Sequence, residues 1–474
     1  MKTAAVIGGG ITGLTAAFRL QERGINVTLY EAGPRVGGVI QSVRRDGFLA
    51  ECGPNTILET SPKIIELVED LGLTCRRMYS SPAADKRYLV RNGKPVSLPG
   101  SLPGFIGTSL FSASAKLRLL AEPFIPPASP KIEESVAQFV LRRLGHAFLD
   151  YAINPLVGGI YAGDPEKLSV RQAFPKLHAL EQKYHSLIAG QVLGARERKR
   201  RAEVSKQTAR KFSFDEGLQV LTDQLQIELD DAIHLNSPIG QVARIDEGWQ
   251  LLADVEGRDQ WQSFDAVLFT GTAHKLAKLH IAAKGAPSLA PLSKVYYPPI
   301  ASIVLGFRRE DVAHPLDGFG VLVPEVERFN ILGAIFSSSL FPNRAPDGHV
   351  ALTCYLGGAR NPKLALLSAE TQVKLAFDDL RKLFGITGEP VFRHHFGFAE
   401  AIPQYEVGYG RYKELMANME EDCPGFFIAG HYRDGISLSD SIVAGDAAAQ
   451  RVSKYLDTQN PKPLAADMQL KAAA

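Results

Sequence analysis

Cysteine is scarce. There are four, Cys52, Cys75, Cys354 and Cys423, in 474 residues, and no two stand at the C-x-x-C spacing. That excludes a zinc knuckle and a dithiol redox centre, and so few thiols suit a reducing compartment. An excess of one charge is missing too. Lysine and arginine number 53 against 51 aspartates and glutamates, a formal net charge of +2, so nothing drives the whole chain toward nucleic acid. No apolar run is long enough to span a membrane. No Arg-rich transit segment precedes the first glycines, and Val6-Ile7 leads into Gly8-Gly9-Gly10 rather than a signal-peptide cleavage site. The expected location is a bacterial-type cytoplasm, with peripheral contact at the cytoplasmic face of the inner membrane as an option. H-E-x-x-H is absent, and Gly435-Ile436-Ser437-Leu438-Ser439 lacks the closing glycine of a nucleophile elbow. His394-His395 makes no metal pair, because adjacent residues on a strand face opposite ways; no metal site is expected.

What remains is an ordinary globular balance, 45% hydrophobic and 22% charged. At about 150 residues per domain, the length suggests roughly three structural units. Residues 3–7 read as a buried strand, 12–23 as a helix and 26–30 as a second strand, a βαβ unit. A helix follows over 62–72. From Pro82 to Pro130 the texture turns proline-rich around the apolar run 105–111, and 133–150 read as one amphipathic helix. Residues 196–211 carry a basic cluster, most simply a solvated face. Strand texture returns over 232–270 and 300–360. A helix is expected over 369–384, a final strand over 425–430 and a closing helix over about 439–455, with a frayed tail beyond Asp457.

Gly8, Gly10 and Gly13 fit G-x-G-x-x-G between that strand and helix. The first glycine allows the tight turn, the second lets backbone approach a pyrophosphate, and the third lets helix and strand pack closely. Gly9, Ile11 and Thr12 complete the turn, whose helix N-terminus offers N–H groups to phosphate. Glu31 ends the second strand, 18 residues after Gly13, where a carboxylate can accept from a ribose. FAD is favoured over NAD by Glu31-Ala32-Gly33-Pro34-Arg35-Val36-Gly37-Gly38, which resembles the second flavin motif of the amine oxidase superfamily. Many amine oxidases follow that glycine pair with arginine; here it is Val39. Near the C-terminus, Gly430-His431 ends a strand and Ile436-Ser437-Leu438-Ser439-Asp440 opens a helix with good capping residues. In that superfamily such a helix points its N-terminus at the pyrimidine end of the flavin, where the dipole suits negative charge.

Several further segments resemble one family, the FAD-dependent protoporphyrinogen oxidases. They are Glu51-Cys52-Gly53-Pro54-Asn55-Thr56, Lys86-Arg87-Tyr88, Gly158 to Asp164, Ala173 to Leu177, Gly318 to Pro324, Phe341 to Pro346 and Gly430 to Asp440. Together they span residue 3 to about 456. The resemblance implies an α/β fold in which a Rossmann-like FAD-binding domain (1–80, 194–275 and 415–456) is interleaved with a mixed α+β substrate domain (81–92, 168–193 and 276–414). A helical membrane-binding insertion (93–167) and a tail (457–474) complete it. It implies noncovalent FAD, and a six-electron oxidation of a porphyrinogen to a porphyrin in two-electron steps onto flavin N5, with oxygen as acceptor and hydrogen peroxide formed. Gly53, Pro54, Asn55 and Thr56 would lie near the flavin ring and Ile239 at the adenine end. Arg87 would hold a substrate propionate, Gly159 would approach the flat macrocycle, and Leu322, Ile335 and Tyr355 would sandwich it. For the last three, ordinary strand core is an equal reading of the residues alone. No general base stands out. Protoporphyrinogen and coproporphyrinogen both remain open as the tetrapyrrole substrate, and so does the oligomeric state, a homodimer included. A flavin amine oxidase, a carotenoid desaturase and a flavin-free binding protein of the GDP-dissociation-inhibitor type share parts of this pattern; the intact glycines and Glu31 argue against the last.

Overall fold

The structure is a computed structural model that describes residues 2–200, 209–255 and 258–459. Two sheets dominate it. The first has five parallel strands in the order Ile233–His234, Asn26–Tyr30, Thr3–Ile7, Ala266–Phe269, Phe426–Ile428. Thr3–Ile7 lies at the centre and is buried almost throughout, which explains its unbroken apolar texture. Helix Ile11–Glu22 covers it and is itself covered by helix Leu438–Gln459. The two helices touch because position 445 is glycine: a Cβ there would stand 2.6 Å from Thr12 O and 2.8 Å from Thr15 Cβ.

The second sheet has seven strands, in the order Phe392–Phe398, Ile300–Arg308, His349–Gly357, Ile331–Ile335, Gly318–Leu322, Lys86–Arg91, Lys94–Ser97. All pairings are antiparallel except that of Gly318–Leu322 with Lys86–Arg91. One face buries Ile303, Leu305, Val321, Ala334 and Cys354 against helix Ala369–Phe384. That helix runs over the expected residues. Ser368 caps its start, accepting from Thr371 N, and Gly385 closes it at φ 62°.

A run of short helices follows in the chain from Leu102 to Tyr161, and here one expectation needs correction. The helix expected over 133–150 is instead Val136–Arg143, then His146–Phe148 and a wider turn Leu149–Ile153 that leads into Asn154–Tyr161. The break falls at Gly145, whose φ of +85° no continuous helix can hold. Before these helices, Lys94–Ser97 pairs with Lys86–Arg91 as an edge strand, and helices start at Leu102. Residues 201–208 of the basic cluster and the tail 460–474 lie outside the described residues. Among the described residues, no helix is long and apolar enough to cross a membrane.

Candidate functional site

The carboxyl edge of the five-stranded sheet gathers the glycine segments. Gly8 turns at φ +115°. A Cβ on Gly13 would overlap Gly8 O, so only glycine lets the helix start this close to the strand. Glu31 uses both carboxylate oxygens on this loop, accepting from Gly9 N at 2.7 Å and Gly33 N at 2.8 Å. Gly37 N donates to Gly9 O, and Gly38 faces Gly10 with its Cβ position 3.5 Å from Gly10 Cα. Val39 O in turn sits against Gly53 so closely that a Cβ there would overlap it. Gly10, Gly38 and Gly53 thus form one connected line, with Ile11 and Thr12 opening the helix at its start. Arg35 braces this line from within, donating to Val36 O, Ile40 O and Gly38 O. Ala32 and Val39 are exposed beside it, and Ile239 lies beyond Glu31, after Ser237 N donates to Glu31 O.

The cradle fits a dinucleotide. Helix Ile11–Glu22 has no side-chain cap and no acidic residue in its first turn, and the Cβ position of Gly10 meets nothing within 4 Å. Uncapped N–H groups facing open space are what a pyrophosphate needs. The second helix start is used differently. Ser437 and Asp440 cap each other, Asp440 N donating to Ser437 Oγ and Ser437 N to Asp440 Oδ2. Ser439 instead pins residue 58, exchanging hydrogen bonds with Leu58 N and O. This brings Ile436, Ser437 and Leu438 beside the end of Gly53-Pro54-Asn55-Thr56. Gly430 (φ +138°) turns the chain into His431, whose ring packs edge-on to Tyr297 at 5.7 Å. Burial pushes the imidazole down to about 4, so it is neutral.

The face of the seven-stranded sheet that helix Ala369–Phe384 leaves uncovered carries the substrate candidates. Arg87 pairs with Gly320, and Gly320 with Ile335; in the next row Leu322 pairs with Gly333, and Gly333 with Tyr355. Directly paired residues share a face. Arg87, Leu322, Ile335 and Tyr355 therefore stand on one surface, with the buried glycines Gly320 and Gly333 between them and Leu322 packed over Gly333. Gly159 approaches from helix Asn154–Tyr161; a Cβ on it would come within 2.5 Å of Leu322 Cδ2. Arg87 marks one end of the surface. Lys211 stands nearby, held below the usual lysine range by burial and by the Arg87 charge.

Tyr355 joins the two halves. Its hydroxyl accepts from Asn55 Nδ2 at 2.6 Å and donates to Gly53 O at 3.3 Å. Sequence reasoning had no signal for a second link. Arg344, from the Phe341-to-Pro346 segment, is buried and donates to Glu51 at 3.2 Å and to Ser213 Oγ at 2.6 Å. Glu51 also accepts from Ser42 Oγ and Leu218 N. Two segments 293 positions apart thus meet in one ion pair, which fixes the start of Gly53–Thr56. Cys52 lies between them, 1% exposed, with Sγ 3.3 Å from His394 Nε2; burial and Glu51 push its thiol up to about 11. His395 turns the other way, to Gln372 Oε1. Among the described residues no group of acidic, histidine and cysteine side chains could hold a metal.

With this geometry in place, comparison with known proteins is decisive. Residues 11–453 match the family described as flavin-containing amine oxidoreductases. The chain belongs to that family. Its similarity within the family runs to porphyrinogen oxidases. Protoporphyrinogen oxidase 2 of Arabidopsis thaliana is 36% identical, over 96% of this chain and 95% of its own length. Coproporphyrinogen III oxidase of Bacillus subtilis is 30% identical, over 96% and 98%. A solved structure from Exiguobacterium, assigned as a protoporphyrinogen oxidase, superposes with a TM-score of 0.79 at 26% identity, over 96% of this chain and 99% of that one. Like the other members, the chain is a flavin-dependent oxidoreductase, and FAD is the cofactor that its glycine line fits.

Proposed function

We propose that this flavoprotein oxidises protoporphyrinogen IX to protoporphyrin IX, with oxygen as the final acceptor. The observation that carries the reading is the register of the seven-stranded sheet. It sets one cation and three apolar or aromatic side chains, with two glycines between them, on a single surface joined to the cofactor segment through Tyr355. A flat apolar macrocycle with carboxylates along one edge suits such a surface. When bound, FAD supplies the two-electron acceptor for a carbon–hydrogen bond of the substrate.

The chain's own residues bind and orient. Gly8–Gly13 and the helix they open would hold the pyrophosphate, Glu31 and Ile239 the adenosine end, and Gly53–Thr56 with Gly430, His431 and Ile436–Leu438 the ring. Arg87 would hold a propionate bidentately. Leu322, Ile335 and Tyr355 would pack on the macrocycle, with Gly159 meeting it from the helix above. These apolar walls exclude water from the reacting face. No side chain needs to act as general base in this reading, and neutral His431 adds no charge beside the ring. FAD is held noncovalently in this reading, since the C-terminal flavin segment Gly430 to Asp440 contains no cysteine and only Cys423 stands near it. The parallel sheet with its attached loops acts as a Rossmann-like FAD domain, and the seven-stranded sheet as the substrate domain. The helices from Leu102 to Tyr161 form a peripheral membrane-facing insertion at the cytoplasmic face of the inner membrane.

Coproporphyrinogen III is the second reading, favoured by the Bacillus subtilis relative. The experiment is a steady-state assay of the purified yellow protein on protoporphyrinogen, coproporphyrinogen and a panel of primary amines, followed by acid precipitation. Porphyrin fluorescence is expected from the first substrate with the highest kcat/KM, none from amines, and all colour in the acid supernatant. Higher efficiency on coproporphyrinogen replaces the first reading by the second; turnover of amines alone, or colour left on the precipitate, refutes both the substrate class and the noncovalent cofactor respectively.

A further inference from the structure

Helix Asn154–Tyr161 forms one wall of the substrate surface, and a single turn holds it at both ends. Strand His349–Gly357, which carries Tyr355, ends in Gly357 and Gly358 at φ +97° and +72°. This double reversal brings Ala359 N to Ala162 O at 2.7 Å, at the C-terminal end of the helix. A Cβ on Gly358 would stand 2.6 Å from that same carbonyl, so only glycine permits the approach. The next residue reaches the other end. Arg360 Nη2 donates to Asn154 O, and Nη1 donates to Val323 O at 3.2 Å, just past strand Gly318–Leu322. Asn154 adds its own side chain, accepting from Glu325 N at 3.1 Å and donating to Glu325 Oε2 at 3.0 Å. The guanidinium lies across Gly158, where any Cβ would overlap it. Its Nε is buried and makes no hydrogen bond among the described residues.

We propose that the Gly357–Arg360 turn is a clasp that sets the spacing between the Gly159 wall and the sheet, with Arg360 as a positioning residue for the substrate surface. The inference rests on the porphyrinogen reading above and deepens it. Gly158 and Gly159 divide the labour: the first admits the guanidinium and the second meets Leu322. Held by both ends, the helix cannot tilt away from the sheet without breaking a hydrogen bond at Asn154 or Ala162. The contact of Gly159 with Leu322 is then set before any substrate arrives, a case of preorganisation. Lysine at 360 would keep the charge but not the fork that reaches Asn154 O and Val323 O together.

Two measurements on the FAD-loaded protein test this. In kinetics, Arg360→Lys should raise KM for the porphyrinogen about tenfold or more while kcat stays within about threefold and flavin content is unchanged. A merely structural arginine would lower the unfolding midpoint and leave KM alone. The second measurement needs no turnover. Gly158→Ala should lower the urea midpoint in the wild-type background, and by about half as much or less in an Arg360→Ala background, because the overlapping group is gone. Additive shifts, or wild-type KM in Arg360→Lys, overturn the clasp. Should Arg360→Ala fail to fold, the kinetic arm with Arg360→Lys still decides. Wild-type protein that turns over neither porphyrinogen sinks the activity reading, and the urea cycle then judges the clasp alone.

Discussion

In the proposed reading Arg87 supplies the charge of the substrate surface; its pairing with Gly320 sets it on the same face as Ile335 and Leu322. A porphyrinogen macrocycle is otherwise nearly featureless, so on that reading a cation at one edge would decide which carbon reaches the flavin. Losing a buried charged contact costs about 2–5 kcal/mol. Arg87→Ala should therefore lower kcat/KM by about tenfold or more, with FAD absorbance unchanged, and Arg87→Lys should restore only part. Wild-type efficiency in Arg87→Ala would remove this residue from the site. His431 makes a second prediction. Its folded value is about 4, below the roughly 6.5 of an unfolded histidine. The unfolded chain then binds the extra proton first, so stability is complete above about 6.5 and is lost as pH falls toward 4. His314, His394 and His395 are lowered by burial too and act in the same direction. Urea midpoints taken at pH 7.5 and pH 5 should drop by an amount that His431→Gln reduces. An unchanged drop in that variant would show that the other groups carry it.

At the scale of elements, legibility in the sequence followed locality. The βαβ unit, its glycine turn and Glu31 were readable because every contact involved spans about thirty residues. Helix 369–384 was readable from its apolar stripe and its Ser and Gly ends. The single helix expected over 133–150 was not, because Gly145 sits inside an unbroken amphipathic pattern and only its positive φ reveals the stop. The apolar run near 100–125 divides in a way that composition could not show. Leu110 and Phe111 are buried, Phe111 stacking on Phe148 at 4.4 Å, and Phe105 and Leu119 pack beside that core. Ile106, Leu117, Leu120 and Phe124 are left 67–87% exposed. The side chain of Leu102 lies outside the described set. Four large apolar side chains on short helices are a surface that a bilayer would cover. Wild type should float with liposomes, and a variant with Ile106, Leu120 and Phe124 changed to serine should not. Wild type that stays with the soluble fraction on anionic and neutral vesicles alike would contradict the membrane-facing role.

Across the whole molecule, the site is made by contacts that no local pattern announces. Glu51 meets Arg344 and Asn55 meets Tyr355, two links that set the segment around Gly53 against the seven-stranded sheet and its loops, while Ser439 meets residue 58 and ties the closing helix to the same segment. The resemblance named the residues, but why Arg87, Leu322, Ile335 and Tyr355 belong together appears only in strand register. The proposed reading draws on both sheets at once: one presents a dinucleotide cradle, the other a face that carries Arg87 with Leu322, Ile335 and Tyr355. The central claim is that the tetrapyrrole on that face reduces the flavin directly. Anaerobic mixing of the FAD-loaded protein with excess protoporphyrinogen, followed by flavin absorbance near 450 nm, tests it without any contribution from oxygen. The account predicts bleaching within one turnover and none with a primary amine; flavin that stays oxidised with protoporphyrinogen and coproporphyrinogen alike, while an amine bleaches it, would contradict it.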